Sequence, residues 1–82
     1  MELKMFSIRD AKAEIFNPPF FALTAGTAEQ NFTQLVRDPK SKLNMFPDDY
    51  DLYLMGTYDD KTGKMQPLDT PQHIAKAIQF KQ

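Results

Sequence analysis

The chain contains no cysteine, so it can hold neither a disulfide framework nor a thiolate metal site, and cysteine-dependent catalysis is excluded. Histidine is nearly absent too: a zinc site built on His73 alone would need three carboxylates, an unusual ligand set. No apolar run approaches the roughly 18 to 20 residues a membrane span requires. Met1 to Asp10 lack the apolar stretch of a secretory signal, so we expect neither membrane association nor export. Charge of one sign is also missing. With 10 Lys and Arg against 11 Asp and Glu, the net charge of −1 argues against a protein that coats nucleic acid through bulk positive charge. There is no internal repeat and no low-complexity tract.

What is present fits one small domain spanning residues 1–82, 41% hydrophobic and 26% charged. A chain of this size buries only roughly 60 to 65% of its unfolded surface, which favours extra burial against a second copy. The charges are unevenly placed. Lys4, Arg9, Lys12, Arg37, Lys40 and Lys42 give the first half basic spots, whereas Asp48, Asp49, Asp51, Asp59, Asp60 and Asp69 make the second half acidic beside its turns.

Alternation of Phe6 and Ile8 with Ser7 and Arg9 predicts a strand over Leu3–Arg9. Asn17-Pro18-Pro19 stops any helix begun at Ala11, and Phe20 to Thr24 reads as an edge strand or an irregular arm. Thr27-Ala28-Glu29-Gln30 has the form of a capping box, and Ala28, Phe32, Leu35 and Val36 form one stripe, so a helix is expected over Ala28–Arg37. Lys40 to Asn44 reads as a loop or short helical turn. Tyr50–Tyr58 is the strongest strand, with Tyr50, Leu52, Leu54 and Gly56 on one side and Asp51, Tyr53, Met55 and Thr57 on the other. Asp59 to Gly63 supplies a turn into a strand over Lys64–Leu68. Thr70-Pro71 resembles a helix start, with Ile74 and Ile78 as anchors of a helix over Pro71–Phe80. The expected fold is α+β: a small antiparallel sheet of three to four strands with two helices packed on it.

The chemistry-bearing patterns mostly fail. The aspartates at 48, 49 and 51 do not follow the calcium-loop spacing, Thr62-Gly63-Lys64 lacks the glycine spacing of a phosphate loop, and no serine has a plausible His and Asp arrangement. We therefore expect a nonenzymatic protein with no cofactor and no metal. What remains is binding. Phe16, Phe20 and Phe21 lie in a proline-broken segment after Arg9 and Lys12, and rings interleaved with cations are what single-stranded nucleic acid uses. The competing reading makes each ring part of the core, because a domain this small needs its aromatic burial.

Four segments occur together: Phe6-Ser7-Ile8-Arg9-Asp10-Ala11-Lys12-Ala13, Pro19-Phe20-Phe21, the run from Pro47 to Gly63, and Leu68-Asp69-Thr70-Pro71-Gln72-His73-Ile74. In this combination and order the chain resembles the small nonstructural protein of gokushoviruses, microviruses of bacteria with circular single-stranded DNA genomes. The resemblance runs from Leu3 to Ile78. It implies a protein of the bacterial host cytoplasm, absent from the mature virion, that acts in the switch from duplex replication to single-stranded genome synthesis and packaging. It carries over no catalytic or binding residue. The expected function is binding of single-stranded DNA, with Lys4, Arg9, Lys12, Phe20 and Phe21 as the main contact and Arg37, Lys40 and Lys42 extending the phosphate track. A homodimer or higher homo-oligomer is expected. The alternative is a protein–protein interaction factor, acting through aspartate-rich loops and exposed tyrosines on a replication initiator, capsid precursor or host protein without contacting DNA.

Overall fold

The computed structural model describes residues 1–81 and has the α+β architecture expected, an antiparallel sheet with its helices on one face. The elements in chain order are β1 (Glu2–Asp10), β2 (Ile15–Phe16), β3 (Phe20–Ala22), α1 (Ala25–Arg37), α2 (Lys42–Met45), β4 (Tyr50–Asp59) and β5 (Met65–Lys76). Short 3-10 turns occupy Pro47–Asp49 and Ala77–Phe80. The sheet runs β2-β1-β4-β5, and β3 pairs with β1 on the same side as β2, giving five strands. Asn17-Pro18-Pro19 causes that division. Two prolines in a row cannot supply ladder donors, so the chain leaves β1 after Phe16 and returns at Phe20.

On one sheet face Phe6 and Ile8 of β1, Leu52 of β4, Ala22 of β3 and Ala75 of β5 pack against Ala28, Phe32 and Val36 of α1. Phe6, Phe32, Val36 and Leu52 are completely buried, so α1 is held by its apolar stripe rather than by helix propensity. Its start lies three residues earlier than the sequence reading placed it. Thr24 is the cap, its hydroxyl accepting from the Thr27 N–H at 3.1 Å, and Thr27 itself sits inside the first turn. The end of α1 is tied to α2 by the Asn44 side-chain amide donating to Val36 O at 2.9 Å.

The largest correction concerns Pro71–Phe80, which is not a helix: β5 continues to Lys76, followed by the 3-10 turn. Thr70-Pro71 imitates a helix cap, yet β4 pairs with Gln72, His73, Ala75 and Lys76 beyond it. Residues 68–71 step out of the ladder between the Gly56–Pro67 and Leu54–Gln72 pairs, so Pro71 gives up no ladder bond, and Pro67 is tolerated because β5 is the edge of the sheet. The spacing of Ile74, Ala77 and Ile78 that read as helical is produced by an irregularity. Leu52 pairs with Ala75 and Tyr53 with His73, so Ile74 is an extra residue, half-buried against the core, between Ala75 and the ladder below it. The predicted strand Lys64–Leu68 is thus only the start of a 12-residue strand.

A second bulge lies in β4. Phe6 pairs with Leu54 and Met5 with Gly56, leaving Met55 as the extra residue. From there the alternation shifts by one, so Gly56 leaves the side it shares with Tyr50, Leu52 and Leu54 in a regular strand. Tyr58 instead pairs with Leu3, on the face opposite the helices. Gly56 is glycine for want of space: a Cβ there would stand 2.2 Å from Gln66 O and 2.8 Å from Pro67 Cα. The hairpin beyond is closed by Asp59, whose carboxylate accepts from the Lys61 N–H at 2.9 Å, and by Gly63 at φ 75°. That backbone hydrogen bond, the largest cause, holds the Asp59 carboxyl below its ordinary value.

Candidate nucleic-acid interface

Among the described residues no helix covers the other face of the sheet. Strand alternation puts Met5, Ser7 and Arg9 of β1 there, and pairing brings Phe16 opposite Arg9, Phe21 opposite Met5, Tyr53 opposite Ser7 and His73 opposite Tyr53. The result is a row crossing the strands. The Arg9 guanidinium carbon lies 5.8 Å from the Phe16 ring centre, Phe16 meets Tyr53 edge to face at 5.4 Å, and Tyr53 meets His73 the same way at 5.3 Å. Farther along β1, Phe21 and Tyr58 form a second aromatic pair at 5.2 Å. Asp51 is the carboxylate in this row. His73 Nε2 lies 3.1 Å from its Oδ2, and Arg9 and Lys76 are its neighbours in register on the two flanking strands.

Between the row and the pair lies an apolar cavity of about 500 Å³. Met5, Ser7 and Met55 belong to its strands, and the Phe16–Pro19 and Pro67–Pro71 segments stand on either side. Ser7 is almost fully buried, its hydroxyl donating to Asn17 O at 2.6 Å, and the Asn17 N–H donates to Ile8 O at 2.8 Å. These two bonds fix the Asn17-Pro18-Pro19 arm against β1.

The residues expected to touch DNA do not share one surface. Lys4 and Arg9 are five positions apart on one strand, so Lys4 points to the helix side and Arg9 to the open face. Phe20 and Phe21, adjacent in β3, are separated in the same way. Phe20 is half-buried with its ring 5.9 Å from Phe6, whereas Phe21 is exposed on the open face. Lys12 and Lys42, distant in sequence, meet at a small depression with Asp10, Phe46, Asp49 and Tyr50. There burial, and secondarily the Asp10 carboxylate 3.4 Å from the hydroxyl, raise Tyr50 above the ordinary phenol value. Arg37 and Lys40 lie at the far end of α1, where Arg37 Nε donates to Phe80 O at 3.1 Å and Lys40 is exposed in a turn.

Tyr53, His73, Lys76 and Asn17 were not among the expected contacts. Tyr53 was legible as the outward partner of Leu52 and Leu54, but His73 and Lys76 were hidden by the helical reading of their segment. Among the described residues no group of three or more His, Asp or Glu side chains could hold a metal ion, and no helix is long and apolar enough to cross a membrane. Compared with known protein families, residues 3–80 match the family described as Phage ORF5 protein. No curated protein and no solved structure matches the chain.

Proposed function

The chain belongs to the Phage ORF5 protein family, and from that premise we propose that it is a nonenzymatic, nonstructural phage protein of the gokushovirus type that binds single-stranded DNA during genome replication or packaging. The observation that carries this reading is the row Arg9, Phe16, Tyr53 and His73 on an uncovered sheet face. Rings presented on a sheet stack unpaired bases, each worth roughly 1–3 kcal/mol, and a duplex, whose bases are already stacked, has no use for them. Arg9 and Lys76 supply the phosphate contacts on this face, and Lys12 and Lys42, which line a separate depression beside Tyr50, supply a further pair. The protein acts inside the bacterial host cell and is not carried in the virion.

Homodimerisation is part of the same proposal. β5 is paired on one side only, and a domain of this size gains from added burial. Light scattering coupled to size exclusion tests it, with a dimer mass expected and a monomer at high concentration refuting it.

The test of DNA binding is fluorescence anisotropy with labelled single-stranded and duplex oligonucleotides of one sequence over a salt series. Single strands bind more tightly than duplex, and log K falls with log salt by about 0.7 per phosphate neutralised. Absence of binding at low salt, or unchanged affinity in the double variant Arg9→Glu, Lys76→Glu, refutes the proposal. A protein-binding role without DNA is the rival favoured by the net charge of −1 and by the exposed Leu35 and Ile78 on the helical side.

A further inference from the structure

Four of the six prolines, Pro18, Pro19, Pro67 and Pro71, stand around the cavity on the open face. Proline fixes its own backbone torsion, so the two arms that carry them are stiff and the space between them does not need to be ordered when a ligand arrives. The cavity is held in shape on both sides. Ser7 and the Asn17 backbone pin one arm to β1, and the absence of a side chain at Gly56 lets Gln66 and Pro67 close onto β4. At about 500 Å³ it is within the roughly 300–1,000 Å³ of small-molecule sites. Its lining is mostly apolar, and Asn17, whose backbone is already engaged, belongs to that lining with a side-chain amide that makes no hydrogen bond among the described residues.

Resting on the single-stranded DNA reading above, we propose that this proline-walled cavity is a nucleobase site, which receives one unpaired base while its neighbours stack on Phe16 and Tyr53. The occupant is a base because the cavity adjoins both the aromatic row and the cations of the same face. A planar apolar ring with polar edges fits between proline walls, and the phosphate linked to it lies toward Arg9. The Asn17 amide, which has both a donor and an acceptor, then meets the edge of the base and sets a preference among the four.

The five methionines make the test internal to the protein. With methyl-labelled methionine, titration of the full chain with a short oligothymidylate is followed by NMR. Met5 and Met55 line the cavity, whereas Met1, Met45 and Met65 do not. The proposal expects shifts and intermolecular NOEs from thymine protons at Met5 and Met55 alone. Leu68→Gln, a change at an exposed wall residue, should remove those NOEs and weaken binding several-fold without altering the salt slope. Asn17→Ala should narrow the affinity differences among homopolymers of the four bases. If anisotropy shows binding with a normal salt slope while Met5 and Met55 remain unmoved, the nucleobase site is refuted and the DNA reading stands. Absence of any binding removes both.

Discussion

Replacing Gly56 with alanine should destabilise the fold more than any other single-methyl addition, and the size of the effect follows from one contact. The added Cβ would lie 2.2 Å from Gln66 O, where ordinary contact begins at 3.4 Å, so β5 must retreat by about 1.2 Å (3.4 − 2.2). Neither Gln66 O nor Pro67 Cα is the free end of a side chain, so no rotamer change can relieve the clash. A retreat of that size takes ladder bonds around Thr57 and Gln66 beyond hydrogen-bonding distance. Each is worth about 0.5–1.5 kcal/mol, and with residual strain the total is about 2–4 kcal/mol. A domain of this length has about 4–12 kcal/mol in all, and Tm should fall by about 10–25 °C. Urea and thermal denaturation followed by circular dichroism measure both quantities. Gly26→Ala is the control of opposite sign: its Cβ meets nothing nearer than Thr24 Oγ1 at 3.8 Å, and alanine in a helical turn gains about 0.5–1 kcal/mol. A Gly56→Ala protein within about 0.5 kcal/mol of wild type would refute the account of the β4–β5 contact.

Three further outcomes are expected. Phe32→Ala, at a completely buried ring facing Phe80 edge to face at 6.2 Å, should cost about 3–5 kcal/mol, and chemical denaturation should show it largely unfolded if total stability is at the low end. Arg9→Glu should weaken binding to single strands and flatten the salt slope, whereas Lys4→Glu, on the opposite face, should leave affinity within about twofold; equal losses in anisotropy would overturn the assignment of faces. Tyr50 has its folded pKa raised by burial and then by Asp10, so its contribution to stability is complete below the unfolded value of about 10 and is lost as pH rises through the folded value. Urea midpoints should therefore decline on the alkaline side, and less steeply in Tyr50→Phe.

Much of the fold was legible because the strands flanking the core alternate cleanly. Phe6 and Ile8, then Tyr50 and Leu52, identify β1 and β4 and their inner face from sequence alone. The breaks in register were not legible, because a bulge is an agreement between two strands and neither announces it. Met55 shifts the face of every residue after it. Ile74 lets β5 carry a helical spacing while remaining a strand, and the neighbouring Thr70-Pro71 reinforced the wrong period. For the site, residue types were read correctly but their grouping was not. The separation of Lys4 from Arg9 and of Phe20 from Phe21 follows from odd spacing within single strands, and was available to anyone who applied the alternation to the candidates as well as to the core. The meeting of Lys12 with Lys42 was not, since it depends on how α2 packs beside the turn after β1.

The position of the aspartates decides how a nucleic acid would have to run on a chain whose net charge is −1. Asp48 and Asp49 lie just before β4, and Asp59 and Asp60 lie at its far end, so a strand of DNA laid along β4 would meet carboxylates at both ends. Asp60 is partly neutralised by the Met1 amino group at 2.5 Å, whose pKa that bond raises, and the same amino group acts on Asp59 through space, although among the described residues Asp59 makes no salt bridge. Across the strands the balance differs. Asp51 is the carboxylate in the row, with Arg9 and Lys76 beside it in register and the His73 ring 3.1 Å from its Oδ2. A path from β2 over β1 and β4 to β5 therefore keeps phosphates beside cations and bases beside rings, and passes the proline-walled cavity without crossing the acidic turns. An overall charge near zero is then compatible with binding, because what a short contact feels within a Debye length of about 8–10 Å is the row and not the sum.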